Sequence, residues 1–123
     1  MQFNNNAQAI YLQIADYVCE KVLLKEWPPD AKIPSVRELA IQLEVNPNTI
    51  ARSYDFLKQQ NIIYDKRGIG YFITADGAKN ASAHRRLEFL EKELPLFFRN
   101  MYLLGIEPDD LKSKYEKFKK QYA

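Results

Sequence analysis

A cluster of polar side chains between positions 46 and 52 has the chemistry to read nucleic acid. The amides of Asn46 and Asn48 and the hydroxyl of Thr49 can bond to base edges or to phosphate oxygens. Arg52 follows Asn48 and Thr49 by one helical turn, so a helix would place it near the same face. A second guanidinium, Arg37, can hold two acceptors of a guanine or a phosphate with its fork. These residues are the first candidates for a DNA-binding surface.

The chain offers little that could perform catalysis. Cys19 is its only cysteine and His84 its only histidine, and the two stand far apart in the sequence. Neither belongs to a metal-ligand spacing or to a phosphate-binding glycine loop. Cys19 lies within an amphipathic run, which favours a buried structural thiol. We therefore expect no enzyme, no metal ion and no other cofactor.

Two helices joined by a tight turn are predicted to position the polar side chains. In the stretch PSVRELAIQL, Ser35 can cap a helix while Glu38 reaches back to its amide, which forms a capping box. That helix is expected to end near position 43. Asn46 then suits the N-cap of the next helix, and Pro47 suits the first position within that helix. Asn46 can both cap the helix and contact DNA bases. Ser35 is also a candidate for DNA contact.

Other elements surround this pair of helices. Apolar residues recur every four positions from Ile10 to Val22, which predicts a first helix over about residues 7 to 25, ended by two prolines. The stretch NIIYDKRGIGYFIT predicts strands at 62 to 65 and 71 to 74 around a glycine turn. The basic tip of this hairpin, Lys66, Arg67 and Gly68, can enter a minor groove or follow phosphates. This order of elements is that of a winged helix-turn-helix.

Net charge alone is weak support for a polyanionic partner. The chain carries a formal net charge of +2, and residues 1 to 78 hold eight Lys and Arg against nine Asp and Glu. A nucleic-acid interpretation therefore rests on where the cations lie. Taken singly, Arg37 also fits a solvated helix-surface charge, and the stretch KRG also fits an ordinary polar turn. Their joint occurrence on elements that a winged helix places on one face favours DNA binding.

The stretch KIPSVRELAIQLEVNPNTIARSYDFLKQQNIIYDKRGIGYFI resembles the DNA-binding domain of the GntR family of bacterial transcription regulators. Pro-Ser-x-Arg-Glu-Leu-Ala is its most specific signature, and the resemblance covers about residues 8 to 74. The asparagines around Pro47 and the short tail further resemble the YtrA subfamily. The resemblance implies DNA contacts at the matching positions Arg37, Asn46, Asn48, Thr49, Arg67 and Gly68.

Two departures from the family pattern bear on the structure and on the operator. Many members have a glycine where this chain has Glu44, so a non-glycine residue is expected in a left-handed conformation at a cost of roughly 1 kcal/mol. Many also have arginines where Pro47 and Ala51 stand, so their operator sequences do not transfer to this chain. Specificity should depend on amide and hydroxyl contacts, with Arg37 and the hairpin tip supplying the charge.

The last third of the chain predicts a helical dimerisation element. We assign residues 1–76 to the winged helix-turn-helix domain and residues 77–123 to the helical tail, which is too short for the large effector-binding domains of many family members. Pro95 should kink the tail helix or split it near residue 91. Two short helices cannot bury the whole apolar stripe, so a second copy is expected to cover it. The stripe comprises Leu87, Leu90, Leu94, Phe97, Phe98, Met101, Leu104, Tyr115 and Phe118.

Together these features predict an α+β, mostly helical protein: an N-terminal winged helix-turn-helix followed by a short C-terminal helical dimerisation element. Its expected function is transcription regulation, as a homodimeric repressor on a palindromic operator in double-stranded DNA. Two alternatives use the same fold, a protein-interaction module and a replication or partition DNA-binding protein. No run approaches a membrane span and the N-terminus does not resemble a signal peptide, so we expect a cytoplasmic protein without membrane contact. The sequence assigns no small-molecule effector.

Overall fold

The computed structural model describes residues 8 to 122, and the chain divides into two compact units, the first ending at Arg86 and the second beginning at Leu87. The first unit contains, in order, α1 Ile10–Leu23, β1 Lys32–Ile33, α2 Val36–Leu43, α3 Pro47–Gln59, β2 Ile63–Lys66 and β3 Gly70–Ile73. Helix α4, Gly77–Glu88, follows, and it includes part of the stretch where the sequence places the domain boundary. The predicted fold class, a mostly helical α+β winged helix, is confirmed.

Helix α1 forms because its apolar residues return to one face at every fourth position. Ile14, Val18 and Val22 are buried along this face, and Cys19 is fully buried beside them, as the amphipathic run predicts. Ile10 is 39% exposed, so the buried stripe begins one turn later than the pattern predicts. The predicted helix start at residue 7 lies outside the described residues.

Helix α2 begins with the predicted capping box. The Ser35 hydroxyl accepts a hydrogen bond from the Glu38 backbone N–H at 3.1 Å, and the Ser35 N–H donates to a Glu38 carboxylate oxygen at 3.0 Å. Two orphan donors of the helix start are thereby satisfied. The inward face of α2, including Leu39 and Leu43, packs into the core.

The turn between α2 and α3 sets the direction of the second helix. Glu44 ends α2 with φ 55° and ψ 49°, which confirms the left-handed residue predicted from the missing glycine. Asn46 then caps α3, since its side-chain oxygen accepts from the Asn48 N–H at 2.8 Å, and Pro47 takes the first helical position. Ile50, Tyr54 and Leu57 of α3 are fully buried.

Three antiparallel strands form the wing sheet in the order β1-β3-β2. The predicted hairpin is confirmed with strands shifted by about one residue, and Tyr64 pairs with Phe72 across it. The sequence patterns predict no strand in the segment before α2. It forms strand β1, because Lys32 and Ile33 find backbone partners in β3 at Phe72 and Tyr71.

The second unit contains a π-helical turn Phe89–Glu93, helix α5 Leu94–Leu104, helix α6 Pro108–Lys119 and a 3-10 turn Lys120–Tyr122. Pro95 lies in the first turn of α5, where its lack of an amide proton is tolerated, and regular α-helix is interrupted just before it. The predicted irregularity near residue 91 is thus a π-helical turn, and the backbone stays helical through it rather than splitting. Between residues 8 and 122 no helix has the length and apolar character needed to cross a membrane.

Candidate nucleic-acid interface

The first turn of α3 presents its polar side chains to solvent. Asn46 and Asn48 are exposed and Thr49 is half-buried. Capping uses only the side-chain oxygen of Asn46, so its two amide N–H donors remain available. The turn can therefore cap the helix and offer amide and hydroxyl groups to a ligand at the same time.

Arg37 stands exposed on the first turn of α2, next to the capping box. The Ser35 backbone N–H holds the Glu38 carboxylate, and this hydrogen bond lowers the pKa of Glu38 below its ordinary value. Among the described residues no carboxylate pairs with Arg37. Its guanidinium is therefore available to an external acceptor.

Arg52 projects from α3 one turn beyond Asn48, as predicted, and its guanidinium carbon lies 3.9 Å from the centre of the Tyr11 ring. Within residues 8 to 122 it forms no ion pair with a carboxylate. Such a stack uses the face of the guanidinium and leaves its edge donors for other acceptors. Arg52 is thus held in place without being neutralised.

The wing tip is an exposed basic turn. Gly68 has φ 77° and Gly70 has φ 145°, conformations that glycine adopts at little cost. Lys66 extends its ammonium to 4.8 Å from the Phe72 ring centre, and Arg67 is exposed. Ile69, which the sequence reasoning did not single out, is an exposed apolar side chain between the two glycines. The tip therefore combines two cations with one apolar side chain.

Lys21 and Lys58, which lie outside the candidate interface, are paired with acids. Lys21 bonds Glu26 at 2.8 Å, and Lys58 bonds Asp65 at 3.1 Å. In the second pair, Lys58 compensates the negative charge of Asp65 on the wing strand β2. The Asp65 hydrogen bond also raises the pKa of Lys58. Charge is thus compensated in these places and left uncompensated at the candidate interface.

His84 and Arg85 belong to a contact between helices of the first unit. The Asp16 carboxylate lies 3.0 Å from the Arg85 guanidinium and 3.6 Å from Nε2 of His84, and the His84 ring meets the Phe56 ring at 5.1 Å. The acidic pairing of Arg85 offsets its charge. These residues connect α4 to α1 and α3.

The structure brings part of the predicted site together in one open cavity of about 380 Å³. Its lining residues are Ala9, Ile10, Tyr11, Asn48, Thr49 and Arg52. The sequence reasoning missed Tyr11 as a site residue, because its spacing assigned it to the apolar stripe of α1. A tyrosine facing an arginine across two helices leaves no signal in local spacing.

An exposed polar helix start, an exposed arginine on the preceding helix and a basic wing are the parts with which winged helices contact a duplex. Fold and site therefore define a winged-helix DNA-binding protein. The family described as bacterial regulatory proteins, gntR family, matches residues 10–73. The chain belongs to the GntR family, and it is a transcription regulator with a DNA-binding domain rather than an enzyme.

Relatives and solved structures agree with this assignment. The chain is 38% identical over 108 residues to the uncharacterized HTH-type transcriptional regulator YhcF of Bacillus subtilis, with 86% of each chain covered. It is 32% identical over 102 residues to the HTH-type transcriptional repressor YtrA of the same species, covering 83% of this chain and 78% of the relative.

Its structure is similar to that of a GntR family transcriptional regulator from Listeria monocytogenes, with a TM-score of 0.72, 33% identity and coverage of 94% and 98% of the two chains. The DNA-binding domain of AraR, solved in complex with an operator, matches with a TM-score of 0.55, 26% identity and coverage of 60% and 90%.

Proposed function

We propose that this protein is a homodimeric repressor that binds a palindromic operator in double-stranded DNA. The observation that carries the proposal is the charge pattern of the first unit. Arg37, Arg52, Lys66 and Arg67 have no carboxylate partner among residues 8 to 122, whereas Lys21 and Lys58 do. Phosphates can supply the missing partners, and each contact releases counterions from the duplex.

In this proposal, the first turn of α3 enters the major groove and reads base edges with Asn46, Asn48 and Thr49. Asparagine can pair with adenine through two hydrogen bonds, so adenines are expected in the half-site. Helix α2 lies against the backbone, where the Arg37 fork holds a phosphate or a guanine. Ser35 stands beside it at the helix start.

The wing supplies a second zone of contact. Lys66 and Arg67 follow phosphates beside the half-site or enter the adjacent minor groove, and Gly68 allows the turn to approach the backbone closely. These contacts are mainly electrostatic, so they add affinity more than sequence preference.

Apolar surface on the second unit supports dimerisation. Phe97 is 51% exposed and Leu104 is 72% exposed, and burying such surface against a second copy contributes about 25 cal/mol per Å². Most of the residues predicted for the interface are likewise exposed, namely Leu87, Leu90, Phe98, Tyr115 and Phe118. Tyr102, which the pattern did not assign, is 86% exposed and adds to this surface.

Two of the predicted interface residues have less to contribute. Met101 is only 8% exposed in the single chain, and Leu94 is half-buried. Their side chains already have neighbours, so a partner copy gains little area from them. The proposed interface therefore depends on the more exposed members of the stripe.

Repression follows from the same geometry, since a dimer that occupies an operator within a promoter blocks access to it. The relative YtrA is named a repressor, which supports this direction of regulation. A protein acting on chromosomal DNA in a bacterium works in the cytoplasm, and that is the proposed location.

Selection of bound sequences from random duplex DNA tests the proposal. The expected result is an inverted repeat rich in adenine, whose half-sites lie about one helical turn, roughly 34 Å, apart or modestly offset from it. Recovery of no shared motif at low salt would contradict sequence-specific binding. A single half-site without a repeat would contradict the proposed dimer geometry.

The recovered duplex then tests the residues. Arg37→Ala combined with Arg67→Ala should weaken binding and lower the slope of log K against log salt by about 0.9 for each lost phosphate contact. Lys21→Ala is the matched control, because it removes a cation that is already paired with Glu26. Equal affinity and equal slope in all three proteins would count against DNA binding through this face and favour the protein-interaction alternative.

A further inference from the structure

We infer that Tyr11 is a positioning residue for DNA recognition, because its ring holds the Arg52 guanidinium in the orientation that meets the duplex. The inference rests on the proposed function, since it takes Arg52 as a DNA contact. It adds a residue of α1, outside the helix-turn-helix itself, to the recognition apparatus.

The Arg52 guanidinium lies over the face of the Tyr11 ring. The guanidinium carbon of Arg52 lies 3.9 Å from the Tyr11 ring centre, well within the roughly 6 Å range of cation–π attraction. The donors of a guanidinium all lie in its plane and point outward from its edge. A stack on one face therefore orients these donors without using them.

Tyr11 is itself anchored to α3, so it can serve as a fixed platform. The buried Ser53 hydroxyl donates to the Tyr11 backbone carbonyl at 2.7 Å, and Ser53 follows Arg52 directly in the chain. The Tyr11 ring also meets the Phe56 ring in an edge-to-face contact at 6.4 Å. Ring and arginine thus belong to one packed unit of α1 and α3.

A ring differs from a carboxylate in what it does to the cation. A carboxylate partner, such as Asp65 beside Lys58, occupies the donors of the cation and compensates its charge. The Tyr11 ring neither occupies these donors nor compensates the charge. It does restrict the rotamers of Arg52 in the free protein, so Arg52 loses less conformational entropy when DNA binds. Arg52 is therefore preorganised, and no acid compensates its charge.

The same helix supplies a matched control. Tyr17 is another half-buried tyrosine of α1, and the Lys21 ammonium lies 5.4 Å from its ring centre. Lys21 is bonded to Glu26, so its charge is compensated. Removing the Tyr17 ring should disturb α1 packing about as much as removing the Tyr11 ring, without touching a proposed DNA contact.

A double-mutant cycle on the full chain tests the inference. The probe is the duplex recovered by selection, labelled with fluorescein, and a labelled random-sequence duplex at low salt is the second probe. The single variants are Tyr11→Leu, Tyr11→Phe, Arg52→Met and Tyr17→Leu, and the double variant combines Tyr11→Leu with Arg52→Met. Thermal melts establish that each variant is folded at the temperature of the titration.

We expect Tyr11→Leu to raise the Kd for the selected duplex by roughly two- to fivefold, the range of an exposed cation–π contact. Tyr11→Phe should stay near the parent value because it keeps the ring, and Tyr17→Leu should do the same. In the Arg52→Met background, Tyr11→Leu should have no further effect, since Tyr11 acts through Arg52.

Several results would overturn the inference. Equal weakening of binding by Tyr11→Leu with and without Arg52 would assign Tyr11 a separate contact or a purely structural role. Equal effects of Tyr11→Phe and Tyr11→Leu would assign the effect to the hydroxyl. A Kd for the selected duplex that is unchanged in Arg52→Met or in Tyr11→Leu would also contradict the inference. Failure of the parent chain to bind either duplex contradicts the proposed function instead, so the two failures are distinguishable.

A spectroscopic readout separates positioning from general stability. The ring current of Tyr11 should shift the Arg52 Nε–Hε proton resonance upfield in the free protein. This shift should persist in Tyr11→Phe and Tyr17→Leu and disappear in Tyr11→Leu. An Arg52 resonance that is the same in the parent chain and in Tyr11→Leu would overturn the stacked arrangement.

Discussion

At the scale of single residues, two of the four candidate interface cations lie over aromatic rings rather than beside acids. Arg52 lies over Tyr11, and Lys66 lies over Phe72 at 4.8 Å. Each ring restrains a long side chain but leaves its charge uncompensated. The arrangement gives a domain with a nearly balanced charge a local surface that suits phosphates.

Glu44 is a second residue-scale feature, because it occupies the left-handed position that ends α2, with φ 55°. Replacing it with glycine should raise the free energy of unfolding by about 1 kcal/mol, since glycine adopts this conformation without a Cβ clash. Urea unfolding of the variant measures the change. Glu44→Ala is the control, because it removes the side chain and keeps the strain. Equal stabilisation by both variants would show that the charge of Glu44, rather than its backbone conformation, matters.

At the scale of elements, the helix-turn-helix is assembled from short-range hydrogen bonds at the helix ends. The capping box starts α2, Glu44 ends it, and the side chain of Asn46 starts α3 only two residues later. The same short turn directs the α3 start outward. Local capping therefore determines which side chains the recognition helix presents.

The Glu38 carboxylate of the capping box makes the stability of the α2 start depend on pH. The Ser35 N–H lowers the pKa of Glu38 below its ordinary value of 4.5, so folding favours the carboxylate form. The stabilisation is fully present above the unfolded pKa and is lost as pH falls through the lowered folded pKa. Glu38→Gln is the comparison, because it keeps an oxygen acceptor without a charge.

Urea unfolding of the parent chain and of Glu38→Gln, followed between about pH 7 and pH 3.5, measures this dependence. The stability difference between the two proteins should be constant near neutral pH and should shrink below about pH 4.5. A difference that is the same at both ends of the range would argue against a charged capping interaction.

At the scale of the whole molecule, the two compact units have different surfaces. The first buries a continuous core that includes Tyr54, Leu57 and Ile73, whereas the second leaves most of its large apolar side chains exposed. Exposed surface of that kind marks an interaction site. The proposed homodimer covers it and sets the spacing of two recognition helices.

Charged substitutions in the second unit test the dimer in the full chain. Phe97→Glu combined with Leu104→Glu should shift the chain from dimer to monomer in sedimentation velocity, because two carboxylates per copy would be buried without partners. Leu24→Glu is the matched control, since Leu24 is an exposed apolar residue at the end of α1 in the first unit. A dimer that survives the tail substitutions would place the interface elsewhere. A parent chain that is already monomeric would rule out the proposed dimer.

Much of the fold could be predicted from the sequence because its signals are local. The capping box, the Asn46 and Pro47 helix start, the left-handed Glu44 and the glycine hairpin each depend on residues a few positions apart. The helix irregularity ahead of Pro95 is of the same kind. In all these cases backbone geometry and nearby hydrogen bonds decide the conformation, so residue type and spacing suffice.

Only the tertiary structure determined the contacts between residues that lie far apart in the sequence. Lys32 became part of a strand because Phe72, far along the chain, pairs with it, and Tyr11 became a site residue because α3 brings Arg52 over its ring. Asp16 likewise meets Arg85 only once α4 packs against α1. Such contacts depend on the path of the whole chain, which the apolar periodicity of one helix does not encode. The local sequence therefore determined the recognition helix, while long-range packing determined how its arginine is held.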